Sequence, residues 1–229
     1  MRRLRRRHIR PLLEENCIEK TDLIAPLFFD ENASDPVPIR SMPGIFRYPV
    51  AMAGDVCATL ASAGVRSVLL FGIPKEKDEK ASGAFAPDGV IQKVIPRIRA
   101  SVPDMVIITD LCACEYTSHG HCGIVGECRD GIDLNNDLSL ALMQEIAISH
   151  ARAGADILAP SSMLDGVVTA IRSALDENGY DEIAIMAYST KFASSLYGPF
   201  RDAAGSGYAF RDRSTYQEPV GNRREAFRE

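Results

Sequence analysis

DMVIITDLCACEYTSHGHCG (residues 104–123) begins as an unbroken apolar run and ends as a crowd of metal-ligand side chains. The opening part, DMVIITDLC (104–112), lacks the polar alternation of a half-exposed strand. Such a run reads as a strand covered on both faces, which is the signature of a parallel sheet. Four further runs read the same way: DLIAPLFF (22–29), SVLLFGI (67–73), DILAPS (156–161) and EIAIMAYS (182–189). Between them lie helix-like stretches, GDVCATLASAG (54–64), DLSLALMQEIAISHARAG (137–154) and DGVVTAIRSALDENG (165–179). Gly64, Gly154 and Gly179 fall where helix C-terminal caps belong. Strand alternating with helix makes the class α/β, with right-handed crossovers. Five strands suit a doubly wound sheet, whereas a closed (β/α)8 barrel needs about 250 residues. The pattern alone leaves both architectures open.

Composition narrows the setting. With 46% hydrophobic and 25% charged residues, the 229-residue chain has the make-up of a soluble globular protein. A net charge of −5 gives no global reason to expect nucleic acid. No apolar run reaches the length of a membrane span. The first, DLIAPLFF, is too short for a secretory core and is broken by Pro26. These features point to a cytoplasmic protein. Six cysteines fall short of disulfide density, so clustered thiols point to metal or catalysis. The first ten residues, MRRLRRRHIR, hold six arginines before LLEENCIEK turns acidic. Such an arm can bind nucleic acid, target an organelle or pack on a neighbouring subunit, and its shortness favours packing. PKEKDEKASGAFAPDG (74–89) reads as a mobile loop able to act as a lid, and GNRREAFRE (221–229) as an amphipathic helix.

The cysteine cluster has its own logic. Cys112 and Cys114 are two apart at a strand end, so both can point the same way, and Cys122 returns after a turn. Thiolates are soft and suit Zn²⁺. Three protein ligands leave a position open for water or substrate, as catalytic zinc requires. Cys128, His119 or His121 are alternative fourth ligands, and inert buried thiols are the plain alternative. Of the lysines at 20, 75, 77, 80, 93 and 191, the first five lie in polar surroundings, and only Lys191 ends an apolar strand, IAIMAYSTK. Strand ends form the functional edge of a parallel sheet. Burial there lowers an amine's pKa and frees it to form a Schiff base with a ketone, unless the side chain snorkels to solvent. Arg201 and Arg213 follow, with forks suited to a carboxylate. An amino keto acid would engage all three features.

DLCACEYTSHGHCGI, SGAFAPDGVIQ, APSSMLDG, IMAYSTKFASSLYGPFRDAAGS, DRSTYQ and NRREAFRE together resemble the porphobilinogen synthase (5-aminolevulinate dehydratase) family, over essentially the whole chain. The resemblance implies a TIM barrel, (β/α)8, that condenses two 5-aminolevulinate molecules to porphobilinogen with loss of water, in haem and tetrapyrrole biosynthesis. It implies an N-terminal arm at 1–21 and an incomplete barrel domain at 22–229, with about five of the eight βα units. By the same resemblance, Lys191 is the Schiff-base lysine, with Asp110 and Ser161 lining the catalytic site. Arg201, Arg213 and Gln217 hold the substrate carboxylate, with Tyr197 and Phe200 near the pocket. Cys112, Cys114 and Cys122 hold zinc, which relatives lacking these cysteines do without. Glu229 corresponds to an allosteric magnesium ligand, and the arm to one that wraps a neighbour in a homo-octamer.

Departures are mild at Ser162 and at MAYS (186–189), and severe in one respect: no lysine follows Lys191. The family's second Schiff-base lysine and its last strands are missing. The expectation is therefore a piece of a longer protein. The alternative is a non-catalytic chain that binds zinc and one substrate, or only assembles with partners.

Overall fold

The computed structural model describes residues 6–128 and 131–229, so the first five residues of the arm lie outside the described part. Residues 6–23 form two short 3-10 turns, Arg10–Leu13 and Lys20–Asp22, with no buried residue in either. The strands are β1 (Ile24–Asp30), β2 (Val37–Pro38), β3 (Phe46–Pro49), β4 (Ser67–Ile73), β5 (Val106–Leu111), β6 (Val125–Cys128), β7 (Gly131–Leu134), β8 (Ile157–Pro160) and β9 (Ala184–Ile185). The helices are α1 (Ala53–Ser62), α2 (Ser82–Phe85), α3 (Val90–Ser101), α4 (Asn136–Ala153), α5 (Val167–Glu177), α6 (Gly198–Ala204) and α7 (Arg223–Ala226).

All five expected strands sit side by side and parallel, as β1-β4-β5-β8-β9 within the order β2-β3-β1-β4-β5-β8-β9. β3 adds a parallel neighbour to β1, and β2 an antiparallel edge. Among the described residues the sheet stays open. The three expected helices are α1, α4 and α5, and Gly64, Gly154 and Gly179 all adopt positive φ, as helix ends require. Asn135 caps α4 by accepting from Leu138 N at 3.0 Å.

Side-chain alternation gives the sheet two different faces. Leu27, Phe29, Leu70, Ile107, Leu111 and Leu158 face the helices and share one core with residues of α1, α3, α4 and α5. On the opposite face Phe28, Phe71 and Ile73 pack with Ala203 and Phe200 of α6. That second face also carries Asp110 and, one residue past β8, Ser161. α6 is held over it by Arg47, which donates to Ala203 O (2.7 Å) and to Asp202 O. Ser41 Oγ adds a bond to Asp202 Oδ2 at 2.6 Å.

Segment 74–89 is not a free flap. It contains α2, pairs Asp78 with Thr117 and buries Ala81 and Ala84 completely. The amphipathic helix expected at 221–229 is confined to α7.

His150, near the end of α4, lies behind the site strand with Nδ1 3.1 Å from Thr109 Oγ1. Burial lowers its pKa to about 4, against a smaller opposing contribution from the Ala84 carbonyl. The unfolded chain takes up a proton near 6.5 that the folded chain refuses until about 4. Stability is therefore lost as pH falls through that window. Urea melts between pH 7 and pH 4.5 should show a steeper loss for the wild type than for His150→Gln, and equal slopes would refute the assignment. Ile107→Ala, at a fully buried position, should cost about 2–5 kcal/mol in the same melts.

Candidate metal and Schiff-base site

Past the end of β5 the chain turns at once. Tyr116 N and Thr117 N both donate to Ala113 O, at 2.9 and 2.8 Å, and this turn swings Cys114 back beside Cys112. Their Sγ atoms are 3.3 Å apart. The loop then returns Cys122, and the three sulfurs lie within 4.8 Å of one another, all buried. Among the described residues this is the one such group of His, Cys, Asp or Glu side chains. Hydrogen bonds link the three thiols. Hydrogen bonds from Cys112 and Cys114 hold Cys122 well below the usual thiol range. Hydrogen bonds to Cys114 first and then to Cys122 push Cys112 well above it. A soft divalent cation would replace the protons of those bonds, so the donor set fits a metal ion.

The alternative fourth ligands fall away. His121 has Nδ1 2.9 Å from Tyr216 Oη and Nε2 3.0 Å from Phe210 O, which leaves neither nitrogen for a metal. Cys128 is exposed at the end of β6. His119 lies outside the sulfur group and accepts from His121 N at 3.2 Å.

Lys191 is buried, and its Nζ donates to Ser161 O at 2.7 Å. The rings of Tyr197 and Tyr188 lie 5.3 and 5.7 Å from that nitrogen. Burial pulls its pKa down, as expected from sequence. Attraction to the surrounding acidic groups, Cys122 first and then Cys112, Cys114 and Asp110, outweighs burial, so the net direction is upward, opposite to the expectation. Asp110 is buried too, and burial followed by repulsion from Glu115 raises its carboxyl well above the ordinary range. Its Oδ1 has no hydrogen-bond partner.

Arg213 is buried and donates from Nη2 to Gly120 O (2.9 Å) and Ser206 O (3.1 Å), leaving Nε without a partner. Gln217 sits one turn on, with its N–H donating to Arg213 O at 2.9 Å. These bonds, with Ala209 N to His119 O at 3.0 Å, zip the arginine loop onto the cysteine loop. Gly120 is required there: its φ is +73, and a Cβ would collide with the Gly207 carbonyl. Arg201 on α6 stacks over Tyr208, 5.5 Å from the ring centroid. Phe200 sits edge-on to Phe71 at 5.1 Å, on the same sheet face as Asp110.

Residues 1–229 match the model of the family described as delta-aminolevulinic acid dehydratase. The chain is 50% identical over 229 residues to the delta-aminolevulinic acid dehydratase of Archaeoglobus fulgidus, covering all of this chain and 70% of that protein. To the Bacillus subtilis protein of the same name it is 45% identical, covering 69% of it. A solved structure of the Toxoplasma gondii ME49 enzyme, named also porphobilinogen synthase and holding its product porphobilinogen, superposes with a TM-score of 0.92 at 38% identity. That match covers 99% of this chain and 64% of the Toxoplasma chain.

The chain belongs to the delta-aminolevulinic acid dehydratase family.

Family membership settles the architecture as the barrel type, of which the described strands form an open arc spanning about two thirds of these relatives' length. For a member of this family, two groups near the cysteines were not foreseen from sequence. Glu115 is buried with both carboxylate oxygens lacking a hydrogen-bond partner, and burial raises its pKa well above the ordinary range. Its place beside Cys114 was the available signal. Lys77, read from sequence as a solvated lysine, is half-buried, with Nζ donating to Gly205 O at 2.6 Å. Burial lowers its pKa, partly offset by Glu115. Glu229 is exposed, and with Glu225 it borders a hollow of about 530 Å³ that also touches Tyr188, Tyr216 and Gln217. Neither Lys191 nor the cysteines line that hollow.

Because His121 has no free nitrogen, His121→Ala should retain metal at wild-type stoichiometry, whereas Cys122→Ala should lose it. Cobalt substitution reads this through the thiolate charge-transfer absorption. Loss of that band in His121→Ala would restore histidine as a ligand.

Proposed function

We propose that this chain supplies the zinc and Schiff-base side of a porphobilinogen synthase, acting on 5-aminolevulinate in haem and tetrapyrrole biosynthesis. The observation that carries the reading is the convergence of three buried sulfurs, a buried amine and the buried Asp110 carboxyl, one of whose oxygens has no partner, on one face of one sheet. The family match favours an enzyme over a chain that only binds.

In this reading Arg201, Arg213 and Gln217 take the substrate carboxylate. Arg213 brings its unpartnered Nε to that task. Tyr197 and Tyr188 flank the amine, with Tyr197 and Phe200 bordering the substrate. The Ser161 carbonyl orients Lys191 Nζ. A neutral amine attacks the substrate ketone, a carbon–nitrogen bond forms, and the ketone oxygen leaves as water once protonated. Asp110, kept protonated by burial, is the proton donor that this step needs. Cys112, Cys114 and Cys122 would hold zinc, which supplies Lewis acidity and positive charge when bound. That charge would offset the thiolates that otherwise keep the Lys191 ammonium protonated.

Three further expectations belong to the same reading: magnesium at Glu229, a homo-octamer in which the arm at 1–21 embraces a neighbour, and a cytoplasmic setting. No helix among the described residues is long and apolar enough to cross a membrane.

Borohydride reduction in the presence of 5-aminolevulinate should leave a mass adduct on the peptide carrying Lys191. Lys191→Met should abolish the adduct and reduce porphobilinogen formation by on the order of 10³-fold or more. An adduct elsewhere, or undiminished activity, would remove Lys191 from the mechanism.

A further inference from the structure

Strand parity sends residue 191 to the wrong side of the sheet. Ile183 and Ile185 pack against the helix-side core, and Ile185 is paired with the helix-side Leu158. The ladder to β8 continues past β9, with Met186 N donating to Leu158 O (2.8 Å) and Tyr188 N to Pro160 O (3.0 Å). Side chains alternate along such a run. Odd positions of this run therefore belong to the helix side, and an unbroken continuation of it would place Lys191 with them. Yet Lys191 Nζ reaches Ser161 O and lies 5.7 Å from the ring of Tyr188, an even-numbered residue.

One residue between the run and the lysine has a backbone that can reverse the phase. Thr190 has φ +65, in the left-handed region. A β-branched side chain there is a true outlier, kept only where the surroundings hold it. Here they do so on both sides. Thr190 Oγ1 donates to Ala226 O of α7 at 3.0 Å, and Glu218 N donates to Lys191 O at 3.1 Å.

We infer that Thr190 is a positioning residue: its left-handed backbone, tied through its hydroxyl to Ala226, turns Lys191 from the helix side of the sheet into the pocket beside Asp110 and Ser161. The inference rests on the reading of Lys191 as the Schiff-base lysine. It also gives α7 a role, because the carbonyl that anchors Thr190 comes from that helix. Glycine would adopt this φ without strain but would leave the turn untied, whereas threonine supplies the tie and tolerates the strain.

The test is a substitution series in the full protein, Thr190→Gly, Thr190→Ala and Thr190→Val. Each is read by borohydride trapping of 5-aminolevulinate on the Lys191 peptide, with thermal unfolding followed in parallel. All three lose the hydroxyl, but they differ in their tolerance of positive φ. Trapping should stay within about threefold of wild type for glycine and fall about tenfold or more for valine, with alanine between. If the valine variant does not fold, the glycine–alanine pair carries the comparison. Equal falls across the folded variants would reduce Thr190 to a hydrogen-bonded anchor and overturn the inference. Trapping at wild-type level in the valine variant would overturn it as well. Wild-type protein that forms no adduct would instead sink the Lys191 reading, and this inference with it.

Discussion

The arrangement depends on one constraint: a parallel strand must bury both of its faces, and its side chains alternate between them. The outward face of β1, β4, β5 and β8 spends its residues on the helix layer, where Leu70, Ile107 and Leu158 are fully buried. The inward face is then free to carry something else. Near Phe28 and Phe71 it is aromatic and closed by α6. From Asp110 to Cys112, and at Ser161, it turns polar and reactive. The helix side supplies the stability that lets the other side hold groups which would otherwise be costly to bury.

Those groups are costly because they share a sign. Asp110, Glu115 and the three thiols all gain negative charge on ionising, in a region where burial resists any charge. The response is collective. Burial pushes Asp110 and Glu115 toward their protonated forms, hydrogen bonds among the thiols push Cys112 up and Cys122 down, and the nearby cations Lys191 and Arg213 are drawn toward their charged forms. Arg213 serves both loops at once, donating to Gly120 O of the cysteine loop and to Ser206 O of its own segment. A cation among the sulfurs would shift this whole balance rather than any single pKa.

Much of this was legible in the sequence, for identifiable reasons. Five apolar runs announced five parallel strands because strands buried on both faces cannot hide their composition. The cysteine spacing announced a cluster because a strand end followed by a tight turn is short enough to close locally. Other features gave weaker signals. β2 and β3 are two and four residues long and contain prolines, so no periodicity could develop. α3 buries Val90, Ile91, Val94, Ile95 and Ile98, but Pro96 inside it and its charged face obscure the helical pattern. Segment 74–89 looked like a lid because its charges are local, whereas what fixes it is distant: the pairing of Asp78 with Thr117. The direction of the Lys191 pKa was misjudged because burial can be read from one strand, while the opposing charges come from another.

Parity also limits what a strand-end lysine implies. Reading Lys191 as reactive from its position alone treats a strand end as delivering any residue to the site, but alternation delivers only every second one. Asp110, Cys112 and Ser161 all lie in phase with the inward residues of their own strands. Lys191 is by count out of phase with Met186 and Tyr188, yet it reaches the same pocket, and the left-handed Thr190 breaks the pleat between them. A strained residue therefore stands directly beside the candidate Schiff-base lysine. The local cost is met by contacts made farther along the chain, from Glu218 and Ala226, which makes the placement of the amine dependent on the folding of the segment that follows it.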